Sequence, residues 1–110
     1  MNLDKRFSDQ ELERIVDEAA IYMCACPGQV AEQLRALREL FRYQYLCELE
    51  PDQEAEVHRT IAEATRRAHE VMEICLENVL VMEGWDRATL NMPEGLRRKR
   101  SALIERDEGV

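Results

Sequence analysis

The sequence predicts an all-α protein, and three observations carry that expectation. Apolar residues recur at spacings of three and four along most of the chain, the period of a helix face. No run alternates β-branched or aromatic residues with polar ones, as a half-buried strand would. Glycine (4) and proline (3) are scarce among 110 residues, and two of the prolines stand where one helix can end and the next begin. The predicted arrangement is an antiparallel three-helix bundle over residues 1–84, with helices at about 8–25, 27–48 and 52–83. A tail over 85–110 follows, with a short helix at about 93–106.

The first helix is announced by Ser8 and Glu11, the spacing of a capping box, with Phe7 and Leu12 placed as a hydrophobic staple across the first turn. Leu12, Ile15, Val16, Ala19, Met23 and Cys26 continue it at helical spacing. Pro27 ends it, having no N–H to donate and disfavouring the α region at Cys26. The same proline suits the first turn of the second helix. Val30, Leu34, Leu37, Phe41 and Tyr45 form that helix's apolar face, with Leu40, Gln44 and Cys47 on its shoulder. "ELEPDQE" then breaks the pattern, and Pro51, Asp52 and Glu54 favour a new helix N-terminus.

On the third helix, Val57, Ile61, Ala64, Ala68, Val71, Cys75, Val79 and Met82 form almost a heptad seam. Gly84 fits the left-handed position just past its end, from which Trp85 can fold back on Leu80. From Val71 to Met82 nine of twelve residues are apolar and point in most directions, so most sides need covering. At about 1.5 Å per residue this helix spans roughly 45 Å against roughly 33 Å for the second, so its last two turns overhang. A second subunit is the first candidate to cover them, and the chain's own tail is the other. The expected dimer interface is Val71, Met72, Cys75, Val79, Leu80, Met82 and Trp85.

Charge limits the partners. The net charge is -8, unevenly placed: residues 85–110 hold six basic and five acidic groups, leaving nine basic and eighteen acidic over 1–84. That acidic body would repel a phosphate backbone, which argues against duplex nucleic acid. The Arg97–Arg98–Lys99–Arg100 cluster suits docking on acidic groups or on a protein partner. No apolar run approaches the roughly 20 residues that span a bilayer, and "MNLDKRFSDQ" lacks the apolar stretch of a secretory signal. With four cysteines, the expectation is a cytoplasmic protein with reduced thiols.

The thiols carry the alternative reading. "YMCACPGQ" sets Cys24 and Cys26 one residue apart before the only Pro-Gly. If the hairpin of helices two and three turns at 49–50, Cys75 lies level with Cys24, and Cys47 lies far away. Cys24, Cys26 and Cys75 could then hold a thiophilic metal such as zinc or sense oxidants. Buried packing as small hydrophobes is the plainer account, since Cys-x-Cys is a weak motif.

His58 and His69 lack the i, i+3 or i, i+4 partner of a metal-binding helix. Nothing singles out a catalytic carboxylate pair, a phosphate loop or a serine nucleophile. The acid–base pairs Glu32/Arg35, Glu39/Arg42 and Glu63/Arg66 read as helix-supporting surface pairs. The sequence therefore predicts no catalytic residue and no cofactor. It predicts a cytosolic interaction or regulatory module that dimerises through helices, with the thiol site as its alternative.

Overall fold

A computed structural model describes residues 3–21, 26–48 and 55–93. They form three helices, α1 (Asp9–Ile21), α2 (Cys26–Glu48) and α3 (Ala55–Glu83), with α2 packed against both of the others. The expected short helix at 93–106, with the basic cluster, lies outside the described residues apart from Pro93.

Each helix end can be traced to local chemistry. At α1 the Ser8 hydroxyl accepts from the Glu11 N–H at 3.0 Å, and Glu11 accepts from the Ser8 N–H at 2.9 Å, a reciprocal capping box. Phe7 and Leu12 are both fully buried beside it. At the far end of α3, Gly84 takes φ 76°. The Trp85 N–H then donates to the Leu80 carbonyl (3.0 Å) and the Gly84 N–H to the Val81 carbonyl (3.1 Å). This Schellman ending reverses the chain and drops Trp85 onto the core beside Leu80.

The reversal makes residues 84–93 a strap over the molecule's own core. Trp85, Leu90 and Met92 are buried with Leu12, Ile15, Leu76 and Leu80. Asp86 holds the strap's bend, accepting from the N–H groups of Ala88 and Thr89 at 2.9 and 2.8 Å. Leu90 sits at φ 58°, an uncommon conformation for a branched residue, and its buried side chain holds it there. Buried Glu18 accepts from the Met92 N–H at 3.2 Å and pairs with Arg14 at 2.9 Å. Arg14 also donates to Asn91.

Helices α1 and α2 approach closely at Gly28, where an added Cβ would lie 2.4 Å from the Ala19 Cβ. Helices α2 and α3 run in opposite directions: Gln44 meets His58 at 2.6 Å, and Arg38, farther back along α2, meets His69 at 2.9 Å. A turn centred at 49–50, which lies outside the described residues, would instead set Gln44 level with about residue 55. Arg38 also reaches Glu73, and these pairings together set Cys75 level with about residues 27–36 of α2.

The inward face of α3 also differs from the seam that apolar periodicity picks out. Ala62, Thr65, His69, Glu73, Leu76 and Leu80 are buried. Of the seam, Val57, Ala64, Ala68, Val71 and Met82 are exposed, and Ile61, Cys75 and Val79 are half-buried. The two stripes lie about 100° apart on the helix. Half of the inward positions are polar, so a pattern drawn from apolar residues alone could not find them.

Candidate functional site

Two features of α3 stand out: a buried polar clamp on its inner side and, among the described residues, a largely exposed apolar seam on its outer side. The clamp is built from Arg38 of α2 with His69 and Glu73 of α3, all three buried. The Arg38 guanidinium donates through Nε to His69 Nε2 (2.9 Å) and through Nη1 to Asp9 (2.6 Å). Through Nη2 it donates to the Phe7 carbonyl (2.7 Å) and to Glu73 (3.4 Å). The Glu73 carboxylate in turn accepts from the backbone N–H groups of Arg6 (2.9 and 3.0 Å) and Phe7 (3.0 Å). Side chains of α2 and α3 thus grip the segment before α1.

The hydrogen bonds settle the state of His69. Its Nε2 accepts from Arg38, so the ring proton sits on Nδ1, facing Glu73 Oε1 at 3.6 Å. Burial pushes the imidazole below its ordinary 6.5, against the pull of the Glu73 carboxylate and with the help of the Arg38 charge. A proton added at Nε2 would face the guanidinium. Asp9 and Glu11 are held below the usual carboxylate range, chiefly by hydrogen bonds from Arg38 and from the Ser8 backbone respectively. Beside the clamp, the Arg87 guanidinium stacks 4.2 Å over the Phe7 ring and pairs with Glu11 (3.0 Å) and Glu77 (3.1 Å). His69 is only 1% exposed and its ring nitrogens face Arg38 and Glu73. The arrangement fastens backbone; it offers a substrate no approach.

The outer face of α3 has the opposite character. Val71, Val81 and Met82 are 64, 77 and 82% exposed, and Val57 and Ile74 are exposed beside them. These five side chains leave apolar surface exposed along one side of α3, as contact sites often do. The expected interface residues divide accordingly. Val71 and Met82 are exposed, Met72, Cys75 and Val79 are half-buried, and Leu80 and Trp85 are buried in the chain's own core. Those last two are taken by the strap, through the ending at Gly84.

Among the described residues the cysteines form no disulfide. Cys26 is exposed as the first residue of α2, Cys47 and Cys75 are half-buried, and Cys24 lies outside the described residues. Among the described residues no three His, Cys, Asp or Glu side chains converge closely enough to hold a metal ion. His58 bonds to Gln44. No described helix is long and apolar enough to cross a membrane.

An open groove runs between the N-terminal segment and α2, lined by Lys5, Arg35 and Arg42 beside Asp9, Glu13, Glu32 and Glu39. Its near-balanced charge selects neither an anion nor a cation. Comparison with protein-family models, with curated proteins and with solved structures finds no match for this chain.

Proposed function

We propose that the chain is a small helical interaction module that acts as a homodimer joined through the outer face of α3. In that state it presents its remaining surface, with the basic tail, to a protein partner that it holds or regulates. One observation carries the reading: the heptad-spaced stripe of α3 faces outward, while the inward stripe is half polar. A helix that buries Thr65, His69 and Glu73 and exposes Val57, Val71, Val81 and Met82 is patterned for two partners, one on each side. The seam runs from Val57 to Met82, about 38 Å of helix, a length typical of a stable coiled-coil contact of three to four heptads.

The proposal is tested by placing charge in the seam. Val71→Glu and Met82→Glu each replace an exposed side chain, so helix content and the unfolding midpoint of the single chain should hold. Sedimentation velocity should show the wild-type protein as a dimer and the doubly substituted protein as a monomer. Unchanged sedimentation in the double variant would remove the outer face of α3 from the interface and the reading with it.

A further inference from the structure

We infer that the chain's own tail, residues 94–106, packs as a helix along the Ile74–Val81 stripe of α3, running back along it with Leu96 against Val81 and Leu103 against Ile74. This contact leaves the seam at Val57, Ala64, Cys75 and Met82 free and does not rest on the homodimer reading.

The heptad-spaced seam does not account for Ile74 and Val81, which are 40 and 77% exposed. Each stands about 100° around α3 from the next residue, Cys75 or Met82, which does belong to the seam. Seven residues apart, the two line one side of the helix, separated by roughly 10 Å of rise. Glu70 and Glu77 border that line on one side, and Arg67 and Asn78 on the other. The described residues end where the chain can reach it. Pro93 lies beside Gly84, its Cγ 3.9 Å from a Cβ built there, and Gly84 is three residues past Val81. The tail therefore starts at the C-terminal end of α3, and a helix begun there meets the rest of α3 only by running back along it. Pro93 suits the first turn of such a helix.

The tail's sequence matches the stripe. Leu96 and Leu103 repeat the seven-residue spacing of Ile74 and Val81, and Ile104 stands beside Leu103. With Leu96 set on Val81, Leu103 arrives level with Ile74 and Arg100 level with Glu77. Arg100 lies about 40° from Leu96 on a helix, so it faces the same way and adds its charge to that of Arg87 at the Glu77 carboxylate. Arg98 turns to the opposite side and stays in water. Alone, so short a helix is marginal in water; apolar contacts at matched spacing stabilise it and cover Val81. Ile21, exposed at the end of α1, shares its side of that helix with Asp17 and Arg14, so it offers the two leucines only one apolar partner.

Hydrogen exchange of the full chain, read by mass spectrometry on peptides covering 94–106, tests the contact. Backbone amides over 98–104 should exchange roughly tenfold or more slower than those of an unstructured chain, the mark of a docked element. Val81→Asp, at an exposed site where the fold holds, should return them to the unstructured rate. Met82→Glu, one residue on but in the seam, should leave them slow. Unstructured rates in the wild type, or slow rates that survive Val81→Asp, would overturn the inference. Equal loss in both variants would overturn it too, because the protection would then come from whatever covers the seam. A cross-link tells which chain supplies the tail. In the full chain with Cys24, Cys26, Cys47 and Cys75 changed to Ser, Asn78→Cys and Arg100→Cys set two thiols within about 2 Å of rise in the docked register. A short bismaleimide should join them within one chain, leaving the product at the chain mass plus one linker. Covalent dimer in place of that product would put the tail on a second copy, and no link of either kind would put it elsewhere; both results overturn the inference.

Discussion

Replacing Glu73 with alanine probes the clamp where it carries most. The carboxylate is 2% exposed and accepts from two backbone N–H groups and a buried guanidinium. Its removal strands the Phe7 N–H, for about 1–3 kcal/mol. It also leaves Arg38 with a buried charge balanced only by the exposed Asp9, and breaking a buried pair from one side costs about 3–5 kcal/mol. These effects overlap, so the expected loss is about 4 kcal/mol against a typical total of ~5–15 kcal/mol. With an m-value of about 2 kcal/mol/M, the urea midpoint should fall by about 2 M. Far-UV circular dichroism in urea, at one fixed protein concentration, reads it directly. Changing Arg38→Met together with Glu73→Leu should cost less than the two single substitutions combined, because no unpaired charge remains buried. A Glu73→Ala protein within about 1 kcal/mol of wild type, an ordinary value for any point mutant, would refute the clamp.

Three further outcomes follow from the same contacts. Gly28→Ala should destabilise by about 1–3 kcal/mol through overpacking against Ala19, although helix propensity alone favours alanine by about 1 kcal/mol; a stabilised variant in thermal melts would contradict the close approach. Acid should weaken the fold in two stages. Because burial lowers the His69 pKa, the unfolded chain binds its proton first, so stability present above 6.5 drains as pH falls below that value. Asp9 and Glu11, also lowered, add their losses only as pH falls through and below 3.8 and 4.5. Urea midpoints between about pH 7.5 and about pH 5.5 should therefore slope in wild type and flatten in His69→Gln; equal slopes would show that His69 titrates without consequence. Trp85→Ala should cost about 3–5 kcal/mol because Trp85 belongs to the chain's own core; loss of dimer without loss of single-chain stability would place it in an interface instead.

Much of the fold was legible because its signals are local. Ser8 and Glu11 cap α1 across three residues, and Gly84 with Trp85 ends α3 within a single turn. Such chemistry needs no knowledge of the rest of the chain. The clamp was not legible, since Arg38, His69 and Glu73 become partners only through a helix register that no local rule sets. Apolar spacing found a real stripe on α3 yet could not say which side it faced. The inward side is chosen by polar residues with buried partners, and Glu73 is inside because the N–H groups of Arg6 and Phe7 need an acceptor there. The expected level of Cys75 with Cys24 depended on where the hairpin of α2 and α3 turns, which no local rule sets, and Cys24 lies outside the described residues. The strap divided the expected interface for a similar reason, as Leu80 and Trp85 are equally apolar whether core or contact.

The central claim is that the outer face of α3 joins two copies of this chain. Sedimentation equilibrium of the unmodified protein over a wide range of concentrations tests it most directly. The account predicts a species of twice the 12.9 kDa chain mass that dissociates on dilution and is abolished by Val71→Glu with Met82→Glu. A single species at the chain mass at every concentration would contradict it.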